Sequence, residues 1–440
     1  MATLTKLRVE LDRRTASPVP FSIGFLSGSV PARVLLLASA IIFAGFPGTN
    51  FAPGRGAYAT FVIVAGVGAA VVWRGVALER ALRDRLVQVA LALLLWALVS
   101  VSWSSTPSPA NAVTVLVLAA LAASLPYPAM GDPAASTHAR LDTLAVMAGL
   151  VSLASLVQGL LPLRRMSELR VPVRPPLSIG GASNSGVGLT LCLAILLAAA
   201  ARPGRLRWLW VALAVITGLV AVQSLSRAGL ALVAVLALVA LEKHVGSHLL
   251  LRALALLMGL LGVLLLYLIR GASIFHDVGR LSSARGSWDA WTESPASLIF
   301  GRGSGELWPW LSFEHGSVPL IKDTYLQSTE WGELLYHPHS VFLGVAAELG
   351  LVGLALLALV LTELVSRCIG VIRDGGELSL PAFALLLSIP AFAVEYYLFR
   401  GFPTALLWWA VAWSMPARAQ SMIGVRWRRP LPLRSRWRTD

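Results

Sequence analysis

The chain has 440 residues, 57% of them hydrophobic and 13% charged, with a mean hydropathy of +0.74. Soluble domains carry about 25% charged residues, so a soluble enzyme with a single anchor is excluded. The formal charge of +14 would point to nucleic acid in a soluble protein, but in a chain this apolar it is expected in the cytoplasmic loops that set membrane orientation, and no nucleic-acid partner is expected.

A polar segment, 1–31, precedes the first apolar run and ends without a small-residue cleavage pattern, so that run is expected to act as its own targeting signal. Apolar stretches follow at about 32–48, 57–73, 86–104, 112–128, 142–161, 184–201, 206–223, 227–242, 249–269, 340–366, 378–399 and 402–416. About 20 residues cross a bilayer as a helix; several of these stretches are interrupted or shorter, so their ends are expected to move by several residues and one short pair could be re-entrant. The expectation is an all-α integral membrane protein with about twelve transmembrane helices: nine over 32–269 and three over 340–416, followed by a basic tail over 417–440. There is no evident internal repeat. Cys192 and Cys368 lie in or beside apolar runs and supply neither a disulfide framework nor a metal knuckle.

The arginines orient the spans. Lys6, Arg8, Arg13 and Arg14, the Arg74–Arg85 loop, the Arg202–Arg207 loop, the Arg367–Arg373 loop and the tail from Arg418 to Arg438 fall on one side if the count is twelve. That side is expected to be the cytoplasm. The segment 270–339 then lies on the opposite face. It carries Trp288, Trp291, Trp308, Trp310 and Trp331, together with Tyr325 and Tyr336. At about 70 residues it is far longer than a connection requires, so a functional lid or small extramembrane subdomain is expected.

Only Lys6, Lys243 and Lys322 among the 36 basic residues are lysines, so cationic chemistry here rests on guanidinium groups. Three groups of arginines break the positive-inside pattern. The connection from Leu163 to Arg174 holds Arg164, Arg165, Arg170 and Arg174 against the single carboxylate of Glu168. A tight turn, Gln223-Ser224-Leu225-Ser226-Arg227-Ala228-Gly229, places Arg227 near the membrane edge, and the long loop offers Arg280, Arg285 and Arg302. An arginine near hydrocarbon is costly unless it snorkels or meets an anion. As a set these residues point to an anionic ligand at the outer face. A pyrophosphate on a lipid carrier fits, because guanidinium forks pair bidentately with phosphate oxygens.

The loop closes with Tyr336-His337-Pro338-His339-Ser340. Pro338 and Ser340 have the placing of a helix start, so His339 is expected within the first turn or its cap. The positive end of the helix dipole there would keep its imidazole neutral near pH 7 and available as a general base. His337 is the rival for that role, and a purely structural cap is the alternative to both. Gly344, Ala347 and Gly350 recur at three-residue spacing and read as a packing stripe. Glu348 is nine residues beyond His339 and about half a turn out of phase, so it is expected to pair within the bundle, as is Glu395.

These residues carry a resemblance. His339-Ser340, nine residues, then Gly350-Leu351-Val352-Gly353 resembles the His-(Asn/Ser)-x9-Gly-x-x-Gly signature of bacterial O-antigen ligases and the related O-antigen polymerases and O-linked oligosaccharyltransferases. Ser226-Arg227-Ala228 is similar to the family's Ser-Arg-small motif. Arg285-x-x-Trp288, then Pro295 and Gly301-x-Gly303-x-Gly305, is similar to the pattern opening its long periplasmic loop, and Asn184 sits where many members carry asparagine. The resemblance covers about residues 180–355. It implies a GT-C-type glycosyltransferase of the bacterial inner membrane, moving a glycan from undecaprenyl pyrophosphate to the lipid A–core oligosaccharide at the periplasmic face. Neither metal nor cofactor is expected. In that reading His339 deprotonates the acceptor hydroxyl while Arg227 and Arg285 hold the pyrophosphate and stabilise its growing charge, with inversion at the anomeric carbon. Arg170, Arg174, His337 and Asn184 are further substrate-binding candidates, and a monomer is expected.

The same chemistry fits an O-antigen polymerase or an O-linked protein oligosaccharyltransferase, which differ only in acceptor. A lipid-linked glycan transporter would also suit twelve spans, but it should place polar residues near the bilayer midplane with symmetry between its halves. Here they crowd one face.

Overall fold

The computed structural model describes residues 83–104, 133–160, 182–224, 278–304, 326–329, 332–335, 339–393 and 402–417, with isolated positions at 229–239 and 398. Its helices are α1 (Arg85–Ser100), α2 (Pro133–Leu160), α3 (Ala182–Ala200), α4 (Arg207–Gln223), α5 (Val278–Thr292), α6 (Pro295–Phe300), α7 (Val341–Asp374), α8 (Ser379–Ala391) and α9 (Phe402–Ser414). Three of them are long and apolar enough to cross a bilayer: α1 with its terminal turn, most of α2, and α7. The chain is a helical membrane protein.

The described parts of seven predicted spans are these helices, with shifted ends. α2 starts several residues early, at Pro133. α8 stops at Ala391 instead of near 399, where Pro390 removes a backbone donor and the chain tightens through Phe392 N–H to Ile389 O at 3.0 Å. The first, second, fourth and ninth predicted spans lie outside the described residues, and the eighth is described only in part.

The described architecture is helical, as expected, with one short hairpin in addition to the helices. Within the long loop, β1 (Leu326–Thr329) and β2 (Gly332–Leu335) pair antiparallel, Leu326 opposite Leu335 and Thr329 opposite Gly332.

α3 is the centre of the bundle and packs against α2, α4, α8 and α9. Its residues from Val187 to Ala200 are buried on nearly every side, the pattern of a helix with no outward face. Close packing is visible at Gly149, where an added Cβ would stand 3.1 Å from Leu213. Nearby, Thr217 donates to Ser152 at 2.6 Å, so these two buried hydroxyls satisfy each other between α2 and α4. By contrast α7 buries a stripe, Leu357, Val360, Leu364, Cys368 and Val371, and exposes Leu351, Leu359 and Ile369 on its other side. The stripe follows the helical period, and exposed leucines suit a helix facing hydrocarbon.

Ion pairs define one end of the bundle. Arg367 near the end of α7 grips Asp84 with two N–H groups at 2.7 and 2.9 Å and bonds Glu363 one turn back at 2.9 Å. The same Asp84 caps α1 by accepting from Leu86 N–H. Arg140 reaches Ser414 O at 2.8 Å. Arg202 pairs with Asp142 at 2.6 Å and Glu377 at 2.5 Å, and Glu377 also meets His138. The starts of α1, α2 and α8 and the ends of α3, α7 and α9 therefore share this basic end. The arginine loops beginning at 74, 202 and 367, expected on one side, meet there in their described parts.

Candidate functional site

The opposite end of the bundle is built around a break in α7. Gly350 has φ 67° and ψ −165°, a conformation outside the helix that a side chain strongly disfavours. Breaking the helix frees carbonyls that would otherwise accept from residues four further on. Partners from elsewhere take them: Arg302 N–H bonds Ala347 O at 2.9 Å, Gly303 N–H bonds Glu348 O at 3.0 Å, and the Trp96 indole N–H bonds Leu349 O at 3.0 Å.

The loop after α6 thus lies along the broken turn as an added backbone strand, and glycine is needed on both sides. A Cβ on Gly350 would collide with the Ile299 carbonyl, and one on Gly301, itself at φ 76°, would collide with the Glu348 carbonyl. Trp103 N–H donates to Gly301 O at 3.3 Å and Ser304 N–H to Ser100 Oγ at 3.0 Å, tying this clasp to the end of α1. Gly350 is therefore a correction to the packing-stripe reading. What approaches it is the backbone of a loop, and its own backbone departs from the helix.

The break also reconciles the length of α7 with a bilayer. Its 34 residues would run about 51 Å unbroken, whereas the portion after Gly350 is about 36 Å long and spans a hydrocarbon core by itself. The segment Val341–Leu349 is left free to take its own direction at the clasp end.

His339 stands at the start of that segment, but not where the sequence placed it. Ser340 is the N-cap, accepting from Leu343 N–H at 3.4 Å, and His339 precedes it with φ 42°. The helix begins one residue later than expected because the Ser340 hydroxyl, in extended conformation, closes the first turn. A left-handed histidine carries local strain, which persists only where the surroundings fix it. Here they do. Ser340 Oγ donates to Phe392 O at 3.1 Å and Val341 N–H donates to the same carbonyl at 2.7 Å. Phe392 is held in an aromatic row running from Phe342 to Trp408, Trp409 and Trp413, with successive ring centres 5.0–5.9 Å apart. His339 is half-buried and partnered.

Arg285 lies on α5, which packs against both α6 and α7. Its side chain is exposed. α6 starts with a capping box, in which Ser294 accepts from Ser297 N–H at 3.0 Å while Ser297 Oγ accepts from Ser294 N–H at 2.9 Å. Trp291 N–H bonds Leu298 O at 3.0 Å and fixes α5 against α6. Arg302 is paired with Glu293, so its charge is answered within the protein. Glu348 is 4% exposed, in keeping with the expectation that it is used inside the bundle.

The structure therefore joins two separate stretches of sequence. The Gly350 end of the histidine signature and the Gly301–Gly303 part of the second pattern meet at the clasp, and Arg285 stands on α5, which packs against α7. Arg227, Arg170, Arg174 and His337 lie outside the described residues, as does Glu395. Asn184 is in the first turn of α3, with its side chain outside the description. Sequence reasoning missed Trp96 and Trp103, which no motif marked, and it missed the pairing of Asp84 with Arg367, for which only the Glu363 to Arg367 spacing gave a hint. Neither a protein-family model nor a curated relative matches the chain.

Proposed function

We propose that this protein is a membrane-embedded glycosyltransferase of the O-antigen ligase type, with about twelve spans in a GT-C-type arrangement and its site on the periplasmic side of the inner membrane. It transfers a glycan from undecaprenyl pyrophosphate to lipid A–core oligosaccharide. The observation that supports this best is the clasp, where glycines of the two motifs carrying the resemblance interlock backbone to backbone on the same helix that begins just after the left-handed His339.

In the reaction His339 accepts the proton of an acceptor hydroxyl as its oxygen attacks the anomeric carbon. The bond from that carbon to the pyrophosphate oxygen breaks, and undecaprenyl pyrophosphate departs with the electron pair. Attack from the face opposite the leaving group inverts the anomeric configuration. Arg285 and Arg227, with Arg170 and Arg174, supply fixed positive charge to the departing pyrophosphate, and the imidazolium proton is then lost to water.

The test is transfer by purified protein in liposomes, with undecaprenyl-pyrophosphate-linked glycan as donor and three acceptors offered separately: lipid A–core, a second lipid-linked glycan, and a Ser/Thr-bearing protein. Transfer to lipid A–core alone is expected, and His339→Ala should slow it by about 10²–10⁴-fold while the protein stays folded. Transfer to another acceptor would reassign the enzyme to polymerase or oligosaccharyltransferase. Absence of transfer to all three overturns the reading, and full activity in His339→Ala removes the base.

A further inference from the structure

α5 presents two unlike faces. Ser287 and Ala290 are buried, whereas Arg285, Trp288, Asp289 and Thr292 are exposed. The exposed four fall at i, i+3, i+4 and i+7 and so line one side of the helix. Trp288 stands out among them at 52% exposure. The packing that would explain a tryptophan here is performed by its neighbour: Trp291 is half-buried, bonds Leu298 O, and meets the Trp288 ring edge-on at 5.2 Å and 88°. One indole is thus braced by another and left with much of its surface uncovered.

We infer that this face of α5 seats the first sugar of the pyrophosphate-linked glycan, with its pyranose ring lying on the Trp288 indole and its hydroxyls donating to the Asp289 carboxylate. The assignment rests on the glycosyltransferase reading above. Two features favour a glycan. An aromatic face beside a carboxylate suits a pyranose, which offers C–H bonds on its ring face and hydroxyl donors at its rim. Arg285 is one helical turn from Trp288, a rise of about 4.5 Å, comparable with the spacing between a phosphate and the pyranose it esterifies. A pyrophosphate on Arg285 would therefore bring its sugar over Trp288.

The test compares binding of two ligands to the full chain in nanodiscs: undecaprenyl pyrophosphate bearing the glycan, and undecaprenyl pyrophosphate alone. The wild type should bind the glycan-bearing lipid more tightly. Trp288→Ala should weaken that ligand by about tenfold and leave the bare lipid unchanged, while Trp288→Phe, which keeps an aromatic face, retains most of the preference. Arg285→Ala should weaken both ligands alike. If Trp288→Ala leaves the glycan preference intact, or weakens bare lipid as much as glycan-bearing lipid, the sugar seat is wrong and the ligase reading stands. If the wild type binds neither ligand, both fall together.

Discussion

The two ends of α7 are held by different chemistry. At its C-terminal end Arg367, with a side chain 2% exposed, is fixed by Asp84 and Glu363, and neighbouring Arg202 is fixed by Asp142 and Glu377. Charge there is answered inside the protein and joins helices distant in sequence. At the N-terminal end main-chain groups make the joints: carbonyls freed at Gly350 accept from the Arg302 and Gly303 amides and from the Trp96 indole. Arg302 is paired with Glu293, whereas the Arg285 side chain is exposed. An arginine that completes a structural network and one left exposed look identical in a sequence. Their surroundings separate them.

The comparison can be broken most severely at the basic end. Asp84→Ala leaves the buried Arg367 with Glu363 as its remaining carboxylate partner among the described residues, beside the Met415 carbonyl, and removes the α1 cap, so a loss of about 3–5 kcal/mol is expected from the charge and about 1 kcal/mol from the cap, read by denaturation in detergent. Replacing both partners by apolar residues should recover most of the charge part. Recovery of nothing would mean that the pair is more than a structural tie.

At the clasp, Gly350→Ala should cost about 3 kcal/mol, through the disfavoured backbone conformation and the collision with the Ile299 carbonyl. Unchanged stability in that variant would show that the loop does not lie against the break. The smallest effect belongs to Trp96→Phe, which keeps the ring but leaves Leu349 O without its indole donor. About 1 kcal/mol is expected, and a far larger loss would place the weight of the clasp on Trp96 rather than on the two glycine turns.

Much of this was legible beforehand. Seven of the predicted apolar stretches are helices in their described parts, three of them long and apolar enough to cross a bilayer, because hydropathy averaged over some twenty residues is a local property that survives any packing arrangement. The grouping of the described arginine loops at one end was legible for the same reason, since alternation of spans fixes the side of each loop. Ser340 as a helix start was also legible, but His339 was placed one residue too far into the helix, because the hydroxyl that closes the first turn is its neighbour's.

What the sequence by itself determined is the class of molecule, the positions of the described apolar helices, and the short set of histidine and arginine candidates. Tertiary structure alone decided that α3 is enclosed by four helices, that α7 is broken at Gly350, and that Trp96 closes the break. It also decided which arginines are paired within the protein. The physical reason is range: apolar runs and caps depend on residues within a turn or two, whereas Leu349 O and the Trp96 indole are 253 positions apart and meet only once the chain has folded.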